Sequence, residues 1–244
     1  MTSRFGETDR RAIFGLGALA AGAALLPAGT IRATEIHAAK PGGLTPDQAW
    51  ERLSDGNRRF VADDQQQTDL STKRRLALAQ GQTPFAALVG CADSRVGPEH
   101  LFGAGLGELF IVRTAGNYVD DAGFGSLAYA VAALGVSLIV VLGHERCGAV
   151  DAATKLVTSN TQLPPSLNRM VRPILPAVID ARASLATGAD LLDHAIHMNV
   201  RHVVRALRES ADPILAVPLS EKRVKVLGAY YDLDTGAVDF FDRG

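Results

Sequence analysis

Apolar positions along this chain follow two rhythms. Between residues 44 and 63, Ala49, Trp50, Leu53, Phe60 and Val61 stand among polar neighbours. That spacing predicts an amphipathic helix opening near Thr45, with Pro46 in its first turn. A second short helix is predicted over residues 71–80. Unbroken apolar runs at residues 85–89, 109–112 and 137–142 read as buried strands. Helices are predicted over residues 124–134 and from Cys147 onward. Pro164-Pro165 opens a mostly helical region to about Glu209, and residues 224–232 form the last predicted strand. Strands alternating with helices predict an α/β fold over residues 40–244. It is a single domain with a mainly parallel central sheet flanked by helices and an N-terminal helical arm.

Residues 1–39 stand apart from this pattern. Arg10 and Arg11 precede a stretch without charge from Ala12 to Ile31, rich in Ala, Gly and Leu and broken by Pro27. It is too short and too weakly apolar for a permanent membrane span. The pattern is that of a twin-arginine-type signal peptide, although Asp9 stands where Ser or Thr is usual. Cleavage is expected after Ala33 or Ala39. The mature protein would then be periplasmic or otherwise exported, with no membrane contact.

The 244 residues are 47% hydrophobic and 21% charged, with a formal net charge of −1. This excludes a disordered chain and argues against a nucleic-acid partner, which calls for a basic surplus. Two cysteines are too few for a disulfide framework but enough for one bridge, one metal site or one redox pair.

Both cysteines follow predicted strands. Cys91 lies in Gly90-Cys91-Ala92-Asp93-Ser94-Arg95, and Cys147 in Gly143-His144-Glu145-Arg146-Cys147-Gly148. Open α/β sheets bind ligands beyond the carboxyl ends of their strands, so Cys91, His144 and Cys147 can meet there. Two thiolates and an imidazole suit zinc and leave a fourth position open. Two buried thiols or a single disulfide are the alternatives at this point. Asp93 and Arg95 can form an ordinary ion pair, or the guanidinium can hold the carboxylate beside the metal and away from it. His194, His197 and His202 lack the acidic or thiol cluster of a second metal site, and Arg201, Arg205 and Arg208 read as a solvated helix face. His100 is read as a surface or structural histidine, with proton transfer the lesser alternative.

These motifs resemble the β-class carbonic anhydrases. The likeness extends through Gly81-Gln82-x-Pro84, the strand from Gly107 to Arg113, Ala115-Gly116-Asn117, the segment around Tyr129 and the strand around Tyr230. It covers residues 44–241. Ala128 and Arg113-Thr114-Ala115 depart from the usual pattern. The resemblance implies zinc ligated by Cys91, His144 and Cys147, with Asp93 gated by Arg95 and itself able to ligate. It implies reversible hydration of carbon dioxide to bicarbonate through zinc-bound hydroxide. Gln82, Phe110, Tyr129 and the Gly148 N–H would contact substrate, with Phe110 and Tyr129 reaching across a dimer interface. A homodimer or homotetramer is implied, with Trp50, Leu53 and Phe60 offering apolar surface to a neighbour. A zinc hydrolase of carbon disulfide or carbonyl sulfide on the same fold is the second reading. A non-catalytic zinc-binding assembly protein is the third.

Overall fold

The structure is a computed structural model and describes residues 43–244. The leader expected over residues 1–39 lies outside the described residues. Among the described residues no helix is long and apolar enough to cross a membrane.

Helix α1, Pro46–Val61, begins where the spacing places it. Thr45 and Gln48 cap it reciprocally, and Pro46 fits the first turn without losing a hydrogen bond. Helix α2, Thr72–Leu78, is short and buries no residue. Strand β1, Ala86–Cys91, and strand β3, Leu138–His144, are buried at every position. Continuous burial explains their unbroken apolar runs, because a parallel strand covered on both faces has no solvent side. Helix α3, Pro98–Leu101, strand β2, Leu109–Thr114, and helix α4, Asp121–Ala132, fill the chain between them. Helices α5, Gly148–Ser159, α6, Pro165–Val171, and α7, Leu175–Ser184, follow, a 3₁₀ turn joining the last two. Helix α8, Leu191–Arg208, helix α9, Pro213–Ser220, strand β4, Lys225–Tyr231, and strand β5, Val238–Asp242, complete the fold.

The sheet order is β2-β1-β3-β4-β5, parallel except for β5, which runs antiparallel to β4. The strand predicted as the last is therefore the penultimate one. Polar Asp239 and Asp242 interrupt the short edge strand β5, so it has no apolar run to betray it. From β1 the chain moves outward to β2, then crosses back to β3 on the other side of β1. The order reverses between β1 and β3, which is where open α/β sheets form ligand crevices.

One face of the sheet, through Leu88, Val140 and Leu142, packs against Ala49 and Leu53 of α1 and against Leu101 and Phe102. The other, through Val89, Ile139 and Val141, packs against Leu127 of α4 and Val200 and Val204 of α8. Helix α1 thus lies on its own sheet. Leu53 is fully buried there, and Trp50 and Phe60 pack against the same core. Trp50 meets Phe240 of β5 edge to face at 6.3 Å. The apolar residues expected to serve a neighbour are in large part spent within the chain.

Gly56 sets how closely α1 approaches. A methyl group at this position would overlap the Phe102 backbone carbonyl, and backbone cannot rotate aside. Gly56→Ala is expected to cost roughly 3 kcal/mol of unfolding free energy in urea titrations. A cost below about 0.5 kcal/mol, the range of ordinary surface changes, would show that α1 is not seated there.

Candidate metal centre

Cys91 ends β1, His144 ends β3, and Cys147 caps the start of α5. Because β1 and β3 are neighbours, their ends and the start of α5 bring all three side chains to the crevice between them. Their ligand atoms lie within 4.8 Å of one another. The two sulfurs are 3.9 Å apart, far beyond the roughly 2.05 Å of a disulfide. A tetrahedral zinc with Zn–S bonds of about 2.3 Å sets its sulfurs roughly 3.8 Å apart.

The histidine is prepared for the same role. His144 Nδ1 lies 2.9 Å from the Glu145 carbonyl oxygen, which can only accept, so Nδ1 carries the proton. Nε2 then holds a lone pair, is buried and has no hydrogen-bond partner. An orphaned buried acceptor costs on the order of 1–3 kcal/mol, and a metal ion would relieve it. Two thiols, a lone-pair nitrogen and this spacing fit zinc.

The thiols are not equivalent. Cys91 Sγ accepts the backbone N–H groups of Asp93 at 3.4 Å and Gly116 at 3.3 Å. The Cys147 thiol, first, and these N–H groups hold Cys91 well below the ordinary thiol range. Cys147 is pushed up by its Cys91 neighbour and then by burial. A divalent cation between them would remove the conflict by compensating both charges.

Asp93 and Arg95 form a fork. Arg95 Nε and Nη2 donate to the two Asp93 carboxylate oxygens at 2.9 and 2.7 Å, and the Arg95 backbone N–H adds a third bond at 3.0 Å. The Arg95 side chain holds the Asp93 carboxyl far below the usual carboxylate range. Asp93 Oδ2 stands 3.8 Å from His144 Nε2. The acid is therefore beside the cluster but turned toward the guanidinium.

Three further residues support this loop and the link from His144 to Cys147. Arg113, at the end of β2, donates to the carbonyls of Cys91, Asp93 and Val96, each at 2.8 Å. Glu145 Oε2 accepts the Leu233 N–H, and Arg146 pairs with Asp234. Sequence reasoning assigned none of them a role. Arg113 did leave a signal, as the one charge closing an apolar strand.

The predicted pocket residues lie elsewhere. Phe110 is opposite Ala87 near the start of β1, whereas Cys91 is opposite Thr114. Four residues of strand separate these levels, about 13 Å. Tyr129 is half exposed and its ring sits 6.3 Å from that of Phe110. Gln82 is exposed in the segment leading into β1. Within one chain the structure does not bring Gln82, Phe110 or Tyr129 to the cluster. Gly148 is adjacent, at the first position of α5, and exposed.

The remaining histidines have other contacts. His194 meets Ser184, His202 meets Asp180, and His197 stacks on Tyr230 at 4.3 Å. His100 is exposed on α3. Cys91, His144 and Cys147 form the only cluster of metal-ligating side chains among the described residues.

Comparison with known proteins agrees with the geometry. The carbonic anhydrase family profile matches residues 86–238. Carbonic anhydrase 2 of Mycobacterium tuberculosis is 39% identical over 191 residues, covering 78% of this chain and 90% of that one. The Mycolicibacterium smegmatis carbonic anhydrase is 38% identical over 194 residues, covering 80% and 92%. A tetrameric β-carbonic anhydrase from Sordaria macrospora superposes with a TM-score of 0.62 at 25% identity, covering 68% of this chain and 85% of the other. With its parallel sheet and a Cys-His-Cys cluster at the β1–β3 crevice, the chain belongs to the β-class carbonic anhydrases and is an enzyme of that family.

Proposed function

We propose that this protein uses a zinc ion held by Cys91, His144 and Cys147 to interconvert carbon dioxide and bicarbonate. The observation that carries the reading is the unpartnered, buried Nε2 of His144 beside two thiols 3.9 Å apart. When bound, zinc supplies Lewis acidity that brings deprotonation of a water into the neutral pH range. The protein's own groups do the rest. Asp93 Oδ2, ionised and acceptor-only, takes a hydrogen bond from the reacting water and aims its lone pair at the carbon. Arg95 keeps that carboxylate from occupying the position the water needs. The Gly148 N–H, at the N-terminus of α5, faces developing negative charge on a substrate oxygen. The water oxygen bonds to carbon, one C=O pair moves onto oxygen, and a proton leaves to buffer.

A second copy of the chain completes the pocket in this reading. Gln82, Phe110 and Tyr129 sit too far from the cluster to serve their own, and the exposed Tyr129 ring is available to a partner's. The tetrameric assembly of the Sordaria macrospora relative supports such an arrangement.

Stopped-flow hydration of carbon dioxide near pH 8, on protein with quantified zinc, tests the proposal. Activity proportional to zinc content is the expected result. Zinc-loaded protein that leaves carbon dioxide untouched but turns over carbon disulfide or carbonyl sulfide would replace it with the sulfur-substrate reading. Failure on all three would leave a binding role.

A further inference from the structure

His144 and Cys147 are separated by two residues whose backbone sets the spacing of the ligands. Arg146 stands there at φ 52°, a left-handed conformation that a residue with a Cβ adopts at a cost. Something must hold it. The Arg146 guanidinium grips both carboxylate oxygens of Asp234, with Nη1 to Oδ2 at 3.0 Å and Nη2 to Oδ1 at 2.5 Å. Asp234 belongs to the turn between β4 and β5, which Asp232 shapes by accepting the N–H groups of Asp234 and Thr235 at 2.9 and 2.8 Å. Glu145 is tied to the same region. Its N–H donates to Tyr231 O at 2.9 Å, and its Oε2 accepts the Leu233 N–H at 3.1 Å. The Arg146 carbonyl, once placed, accepts Arg95 Nη2 at 3.3 Å, and Arg95 is the residue that holds Asp93.

We infer that Asp234 is a positioning residue for the metal centre. Its carboxylate anchors Arg146, and through Arg146 fixes both the spacing of His144 and Cys147 and the seat of Arg95. Asp234 touches neither substrate nor metal. Its effect is to keep a strained two-residue link in the one shape that presents both ligands. The inference rests on zinc binding at the proposed site.

The test is the rate at which a chromophoric chelator strips zinc from the full-length holoprotein. Partners that orient metal ligands typically change metal affinity by 10- to 100-fold. Asp234 is one bond further out and solvent-facing, so Asp234→Asn is expected to speed zinc release by roughly three- to tenfold. Arg146→Lys, which keeps the charge but not the fork, should act in the same direction. Asp234→Glu should restore slow release in part. Asp151→Asn, which breaks the exposed Lys155–Asp151 pair on α5, should leave release at the parent rate. The melting temperature of the zinc-free protein should be alike for Asp234→Asn and Asp151→Asn, which separates positioning from general stability. Release at the parent rate in both Asp234→Asn and Arg146→Lys would overturn the inference while leaving the metal site standing. A parent protein that takes up no zinc would overturn the metal reading, and the inference with it.

Discussion

Cys91→Ser is expected to abolish stoichiometric zinc and to lower carbon dioxide hydration by at least about a thousandfold. The substitution changes one atom but removes the ligand best prepared to be anionic. Cys91 Sγ receives two backbone N–H groups and is the thiol held below its ordinary range. A serine hydroxyl in its place stays protonated at neutral pH. It leaves a dication compensated by a single thiolate in a buried site, a state that desolvation penalises heavily. The fold itself has little to lose, because serine is close in size and the same N–H groups can donate to its oxygen. The zinc-free forms of parent and variant should therefore melt within a few degrees of each other. Zinc should then raise the melting temperature of the parent alone, since only a native state that binds ligand is stabilised by it. Zinc content, melting temperature and hydration rate measured on the same samples decide the matter. A Cys91→Ser protein that retained one zinc per chain and the parent rate would remove Cys91 from the ligand set.

This centre was legible in the sequence because its ligands close the two most buried strands. The runs ending at Cys91 and His144 hold no charge, so the first polar residues after them mark the carboxyl end of the sheet, where ligands bind. Helix α1 was legible from its period, but its destination was not. An apolar stripe through Leu53 looks the same whether it covers its own sheet or a neighbour's, and here it covers its own. Strand β5 escaped notice because an edge strand of five residues needs only one buried position, Phe240. Arg113, Glu145 and Arg146 act through backbone carbonyls, a turn N–H and an aspartate remote in sequence, and no local spacing encodes such contacts. The placement of Gln82, Phe110 and Tyr129 depends on strand register, which a list of motifs does not contain.

Arg95→Ala is expected to lower hydration by roughly 10²-fold while leaving zinc in place and releasing it no faster than the parent. Asp93 Oδ2 lies 3.8 Å from His144 Nε2, so a rotated carboxylate would reach the cluster that would hold zinc. Arg95 opposes that rotation with two side-chain bonds to the acid. Without them the carboxylate, an anionic oxygen donor, competes directly with water. The sign of the pH effect follows from the same contact. The folded-state pKa of Asp93 is depressed, so the ion pair is complete above the unfolded value of about 3.9. It is lost only as pH falls below that toward the folded value. Asp93 therefore stays charged throughout the neutral range, and the parent's rate profile above about pH 5 should contain no limb that belongs to it. The gate is mechanical rather than titrated. Its signature is non-additivity: adding Asp93→Ala to Arg95→Ala should raise activity above that of Arg95→Ala alone, because the second change removes the competing ligand. Rates for the two single variants and the double variant, at matched zinc content, measure this coupling. A double variant slower than Arg95→Ala would show that the carboxylate helps the reaction even when released, and that Arg95 does not act by restraining it.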